Sequence, residues 1–493
     1  MHLANQIFPV LAIALLSLGS CTNSANNTAS TAAAPPQELA SATAGGAQAA
    51  LDADKAQTQF NTYCSGCHGD NAITFADRRW KYGSSREEIF TSIKKGIPAA
   101  GMPAFAATFS DAEIENLVTY IKEGIQSVEA YSFKEQQAAQ ETYESEGQTI
   151  KLETVVSGIG VPWGLAFLPD GGMLVTERSG KFYRVSENRE LQPVQGVPAV
   201  RAEGQSGLMD VALHPNFSKN NIIYLSYSAI KQQDGKTLST TAIMRARLDG
   251  NQLTDQKVIF EAQPYSETRH HYGSRMVFGK DGYLYFSVGE RGNEKENPQT
   301  LDRHLGKIHR IKDDGSIPAD NPFVNRQGAL PSIYSYGHRN PQGLAFHPAT
   351  GELWSHEHGP RGGDEVNIVK PARNYGWPVV SYGINYNGQP ITDKTQQAGV
   401  EDPIWYWTPS IAPSGMAFVT GNRYKGWEGD VMVGSLRFKF LSRCKIENGK
   451  IVREEKLLPN IGRVREVRMS PDGYLYIGVE TGHVYKLVPV AKP

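Results

Sequence analysis

Between residues 150 and 493 one phrase recurs six times, apolar residues, a turn and an alternating strand, and it predicts an all-β six-bladed β-propeller. Ahead of it, two capping-box signatures, each followed by apolar residues at helical spacing, predict a small all-α domain. Glycine and tyrosine are abundant, 49 and 22 in 493 residues, which suits many turns between short strands. The 50 Lys and Arg are balanced by 51 Asp and Glu, so no positive footprint is left for a nucleic-acid partner. Four cysteines, Cys21, Cys64, Cys67 and Cys444, are too few for a disulfide scaffold in so long a chain.

The first element, residues 1–21, reads as an export signal. Residues 7–19 are an apolar run too short to span a bilayer comfortably, ending in Leu18-Gly19-Ser20-Cys21. That tetrapeptide resembles the bacterial lipoprotein box, in which the cysteine is acylated. The alternative is a plain secretory signal, and the segment before the run carries His2 but no Lys or Arg. Residues 22–50, rich in Thr, Ser, Asn and Ala, read as a flexible linker, because such a composition cannot bury enough surface to offset its ordering entropy. The expectation is an exported protein, periplasmic or at the cell surface, tied to a membrane by lipid at Cys21.

The second element, residues 51–128, carries Cys64-Ser65-Gly66-Cys67-His68. Two thiols that form thioethers, followed at once by a histidine that ligates iron, are the attachment pattern of covalent haem c. A thioredoxin-type dithiol would want a βαβ setting and has no use for the histidine. Between residues 51 and 130 the only His is His68 and the only Met is Met102, so Met102 is the candidate sixth ligand. Its context, Gly101-Met-Pro-Ala-Phe105, resembles the methionine loop of small cytochromes c. Ser85 with Glu88, then Ser110 with Glu113, open the predicted helices, the latter followed by Ile114, Leu117, Val118 and Ile121. Residues 129–149, rich in Gln and Glu, read as a linker.

The third element holds the repeats. They begin at Leu165, Val211, Met276, Leu344, Met416 and Val467, and Gly180-Arg184, Gly306-Arg310 and Gly482-Lys486 add a further strand. The spacing exceeds that of WD-type blades, so the extra length falls in loops, where a site is built.

This third element resembles the soluble quinoprotein glucose dehydrogenases and the related aldose sugar (sorbosone) dehydrogenases. The likeness rests on Gly204-Gln-Ser-Gly-Leu208, His271 to Arg275, Tyr336 to Phe346, His358-Gly-Pro360 with Asp364-Glu365, and Arg463-Val-Arg465. It implies a six-bladed propeller that oxidises sugars with pyrroloquinoline quinone (PQQ) and Ca²⁺. A histidine near neutral pKa suits the removal of a hydroxyl proton, and His271 matches the family's base, oriented by Glu290. PQQ carries three carboxylates and two quinone oxygens, and Arg339, Asn340, Arg437, Arg463, Arg465 and Ser410 match its contacts. Gln205 matches a contact near substrate and quinone, and the backbone carbonyls of Gly359 and Pro360 match calcium ligands. His270 and Arg437 replace a family Asp and Lys, and Thr408 and Ser410 replace Trp and Thr on the sugar side, so substrate preference is expected to differ. Trp405 either stacks on a sugar or fills the core.

The combined expectation is an exported quinohaemoprotein dehydrogenase that passes electrons from a small sugar or polyol through PQQ to haem c and on to an external carrier. Two rivals stand beside it: a non-catalytic propeller that binds a partner protein, and a dehydrogenase whose cytochrome only docks that carrier. No strand-bound Gly-x-Gly-x-x-Gly supports a flavin or nicotinamide enzyme. Cys444 is left as one unpaired thiol.

Overall fold

The computed structural model describes residues 53–64, 82–98, 102–126, 141–292, 295–385 and 390–490. The signal, the residue 22–50 linker, Cys67 and His68 lie outside them. Among the described residues no helix is long and apolar enough to cross a membrane.

Among the described residues the helical part comprises α1 (Ala53–Tyr63), α2 (Arg86–Lys95) and α3 (Asp111–Gln126). Both expected capping boxes form. Glu88 N–H donates to Ser85 Oγ at 3.2 Å while Ser85 N–H donates back to Glu88 Oε2 at 2.9 Å, and Ser110 and Glu113 repeat the exchange. The periodic residues Ile89, Ile93, Ile114, Leu117, Val118 and Ile121 close a core around Phe60 and Phe109. Cys64, Met102 and Phe105 are half-buried against that same cluster.

Gly96 positions Met102. It ends α2 at φ +70°, and Met102 and Ile97 then exchange backbone hydrogen bonds of 2.9 and 3.2 Å. A Cβ at Gly96 would stand 2.6 Å from the Ala104 nitrogen, so the return of the Met102 segment needs a bare Cα. Gly96→Ala is expected to lower the stability of this part by more than about 1 kcal/mol, read by thermal melting.

Residues from 142 onward form six antiparallel sheets. Blade 1 is Pro162–Phe167, Met173–Glu177, Lys181–Val185 and Leu191–Pro193, and blade 2 is Leu208–Leu213, Ile222–Gln233, Lys236–Asp249 and Gln252–Glu261. Blade 3 is Met276–Phe278, Leu284–Val288, Lys307–Ile311 and Ile333–Tyr336. Blade 4 is Pro341–Phe346, Leu353–Glu357, Asp364–Val369 and Trp405–Trp407. Blade 5 is Pro413–Phe418, Val431–Ser435, Leu441–Glu447 and Lys450–Leu457. Each repeated phrase supplies the first two strands of its blade.

Why the phrase must repeat follows from strand periodicity. Successive side chains point to opposite faces, so in blade 3 Leu284 and Phe286 pack against blade 2 while Tyr285 packs against blade 4. In blade 1, Leu174 faces blade 2 and Val175 faces blade 6. Neither face is buried without a neighbour, so the ring has to close.

Closure corrects the boundary expected at residue 150. Blade 6 is Val464–Met469, Leu475–Val479 and His483–Val490, completed by Gln148–Val156 and then Thr142–Ser145 from the start of the domain. Thr149 pairs with Val490 and Val156 with Val484. Residues 142–149 therefore belong to a hairpin of this sheet and are not linker. Their polar composition concealed this, since Gln148 and Thr149 are buried beside Tyr143, and Thr149 Oγ1 donates to Glu144 at 2.7 Å. Cys444 is buried in the blade 4–blade 5 interface, where desolvation pushes its thiol pKa up.

Candidate active site

In an antiparallel blade the start of the first strand and the end of the second lie on the same side of the ring. Gln205, His271, Arg339, Asn340, Ser410 and Arg463 sit one to five residues ahead of first strands, and Arg465 is the second residue of its own. Glu290, Gly359, Pro360 and Arg437 sit just after second strands. The topology alone thus gathers every expected propeller residue on one face.

His271 is buried in the left-handed region, at φ +55°. Its N–H donates to Gln205 Oε1 at 2.8 Å, and Gly289 makes room for it, because a Cβ there would stand 2.3 Å from the His271 carbonyl oxygen. His271 Nδ1 donates to Glu290 Oε2 at 2.6 Å, an oxygen that also takes the Gly292 N–H at 2.8 Å. Nδ1 being the donor, Nε2 keeps the lone pair. Burial pulls the His271 pKa below its ordinary value and the Arg339 charge adds to this, against the opposing pull of Glu290. Burial would raise Glu290, but its interaction and hydrogen bond with His271, the Arg339 charge and the Gly292 N–H outweigh it and hold its pKa below the ordinary value. His270 is exposed beside the dyad, its ring 6.4 Å from that of His271.

Arg339 ties this dyad to blade 4. Its backbone N–H goes to Glu357, which also takes His338 Nδ1 at 3.0 Å. One guanidinium nitrogen donates to the carbonyls of His358 and Gly359, both at 2.9 Å. Its Nε lies 4.0 Å from Glu290 Oε1, and neither atom has a hydrogen-bond partner although both are buried. Asn340 accepts from Gly273 N–H at 3.1 Å through Oδ1, while its buried Nδ2 has no partner.

Two expectations are modified here. The Gly359 carbonyl accepts from Arg339, so a cation would take its second lone pair or displace the guanidinium. The Ser410 hydroxyl donates to Asp364, whose carboxylate also receives Gly359 N–H and Ala412 N–H at 2.8 Å each, so that hydroxyl hydrogen is already committed. Burial pushes Asp364 up to about 6. Among the described residues no cluster of His, Cys, Asp and Glu is arranged to hold a metal.

Arg437 donates to the Ser410 carbonyl at 3.1 Å. Arg463 and Arg465 share Glu480: Arg465 Nε and a terminal nitrogen reach Oε1 at 3.0 and 2.7 Å, and Arg463 Nε takes Oε2 at 2.5 Å. Gln342 links Arg465 back to Asn340. Trp405 packs on the blade 4–blade 5 core, its Nε1 without a partner, and the buried Thr408 hydroxyl is likewise unmatched.

Glu357 and Glu480 brace candidate-site arginines and were not singled out from the sequence. The signal was present, because Glu177, Glu290, Glu357 and Glu480 close the second strand or follow it within two residues in four of the six repeats. Each then binds neighbouring loop groups: Glu177 holds Ser179, Glu290 holds His271, and the other two hold arginines.

Residues 159–486 match the family described as Glucose / Sorbosone dehydrogenase. The chain belongs to the glucose/sorbosone dehydrogenase family. Residues 51–121 of this family member match a second family, described as Cytochrome C oxidase, cbb3-type, subunit III. The aldose sugar dehydrogenase YliI of Escherichia coli K12 is 41% identical over 348 residues, spanning 69% of this chain and 93% of that one. The crystal structure of the soluble aldose sugar dehydrogenase from Escherichia coli in the apo form matches at TM-score 0.66 and 40% identity, over 69% of this chain and all of that one. The PQQ-bound aldose sugar dehydrogenase of Streptomyces coelicolor matches at TM-score 0.57 and 29% identity, over 72% of this dehydrogenase chain and all of that one.

Proposed function

We propose that the protein is an exported quinohaemoprotein that oxidises aldose sugars or similar small polyols at the propeller and passes the electrons to a covalently held haem c. One observation carries the reading. A buried His271–Glu290 dyad adjoins buried donors, Arg339 Nε and Asn340 Nδ2, that no protein acceptor satisfies. Such donors suit an acceptor-rich, anionic ligand. Four guanidiniums, Arg339, Arg437, Arg463 and Arg465, lie on this face against the ionised Glu290 and Glu480, a balance that suits the three carboxylates of PQQ.

PQQ, when bound, supplies a two-electron hydride acceptor. His271 Nε2 takes the hydroxyl proton of the sugar, and Glu290 steadies the imidazolium that results. Gln205 holds the His271 backbone, and Arg339, Asn340, Arg437, Arg463 and Arg465 bind and orient the acceptor. The carbonyls of Gly359 and Pro360 would hold calcium, with the Gly359 oxygen shared with Arg339. Cys64, Cys67, His68 and Met102 would hold the haem, and the half-buried Cys64 and Met102 border one apolar cluster that suits a porphyrin face. Lipid at Cys21 would tie the protein to a membrane, where an external carrier collects the electrons.

The test is the full chain matured with haem and loaded with PQQ and Ca²⁺. Sugars from a panel are expected to reduce its own haem, read at the α-band, and only when PQQ is present. Haem that stays oxidised while PQQ is bound and sugar is consumed would remove the electron path from this reading.

A further inference from the structure

Trp377 is reached by an unusual route. Residues 370–404 leave the end of the third blade 4 strand remote from the site face, since Asp364 at its other end contacts Gly359. The chain nevertheless returns to that face along blade 3. Asn374 pairs with Tyr336, Tyr375 N–H donates to the Tyr336 carbonyl and Trp377 N–H to the Gly337 carbonyl, both at 2.9 Å. Gln299 fixes the segment from the other side: it exchanges amide hydrogen bonds with Asn374 and donates to the Trp377 carbonyl at 2.7 Å. Gly376, at φ +88°, makes the turn where a Cβ would meet Val380 and Val400.

The indole delivered this way is 8% exposed and lies 5.1 Å, ring centre to guanidinium carbon, from Arg339. Its Nε1–H has no hydrogen-bond partner. Trp407 and Trp427, by contrast, spend theirs on Glu454 and on the Glu146 carbonyl. Trp354 and Trp405 also lack a partner, but both pack in the apolar blade 4–blade 5 cluster. Trp377 instead adjoins the guanidinium whose own Nε is unmatched, next to the unmatched Asn340 Nδ2. A buried donor left unpaired costs free energy, and the unmatched Trp377 Nε1–H and Arg339 Nε–H, on side chains that adjoin, point to a shared acceptor.

We propose that Trp377 is a ligand-contacting residue that backs the Arg339 guanidinium with its ring and donates its indole N–H to an anionic oxygen of the bound quinone. This rests on the proposed PQQ reading. The role separates into two parts that different substitutions remove: Trp377→Phe keeps a ring beside Arg339 and loses the N–H, whereas Trp377→Leu loses both.

The experiment titrates PQQ into the full chain in the presence of Ca²⁺, with affinity read from the change in PQQ absorbance and the fold checked by melting without PQQ. Trp377→Phe is expected to melt like the wild type and bind PQQ about tenfold or more weakly, as the loss of a hydrogen bond to a charged acceptor requires. Trp377→Leu is expected to bind more weakly still. Wild-type affinity in Trp377→Phe would overturn the proposal and leave the cofactor reading standing. A wild-type chain that does not bind PQQ would overturn both.

Discussion

Replacing His271 by alanine is expected to lower kcat by about 10²- to 10⁴-fold, the contribution usual for a positioned general base. The fold should be unchanged, because the imidazole makes one side-chain hydrogen bond, to Glu290, and the anchor to Gln205 is made by the backbone. PQQ titration in the variant separates a lost base from a lost cofactor site, and wild-type turnover would exclude His271 as base. The pH profile carries a second sign. With His271 as the base, the neutral imidazole is the active form, so kcat/KM is expected to rise with pH through the His271 pKa, which burial and Arg339 set below the ordinary 6.5. Glu290 is the main influence that raises it, through its charge and its hydrogen bond. Glu290→Gln keeps an acceptor for Nδ1–H but removes the charge, so the acid limb should move to lower pH while kcat falls for want of a counter-charge to the imidazolium. An acid limb that moves to higher pH would mean that the Glu290 charge does not raise the His271 pKa.

Most of the propeller was legible because its signal is local and repeated. A turn followed by an alternating strand needs no partner to be recognised, and the candidate site residues stand near the ends of those strands, but it was the family resemblance, not the phrase, that singled out His271, Glu290, Arg339 and Arg463 among them. What escaped was partner choice. Nothing local shows that Ser410 spends its hydroxyl on Asp364, or that Arg339 occupies the Gly359 carbonyl, because each pairing joins residues some twenty to fifty positions apart. Thr142–Ser145 was missed for the opposite reason. Its residues look solvated locally, and their strand exists only because the last blade presents an edge for Gln148–Val156 to pair with. Trp377 combines both difficulties, an apolar residue in a loop whose neighbour Arg339 is 38 positions away in sequence.

The largest stability effect is expected at the centre of the ring. Arg275, 3% exposed, stacks on Trp163 of blade 1 with 4.1 Å from guanidinium carbon to ring centre and pairs with Glu466 of blade 6 and, at 3.8 Å, Asp210 of blade 2. It also donates to the carbonyls of Gln342 in blade 4, Arg465 in blade 6 and Trp163, at 2.7, 3.0 and 3.4 Å. Arg468 completes the set, 3.1 Å from both Asp210 and Glu466. The inner strands of five blades thus meet at two guanidiniums and two carboxylates. Arg275→Met keeps much of the stem volume but leaves two buried carboxylates to one arginine and strands three carbonyls, so the propeller should lose about 3–5 kcal/mol, a factor of roughly 10² to 10³ or more in its folding equilibrium. Chemical denaturation of the full chain, followed by tryptophan fluorescence, measures this. Adding Glu466→Leu removes one of the uncompensated carboxylates and should restore part of the loss, because a buried charge without its partner costs more than an apolar replacement. The three carbonyls remain unpaired in the double variant, so recovery should be incomplete. A single variant that unfolds at the wild-type denaturant concentration would mean that the blade interfaces, and not the charged centre, hold the ring closed.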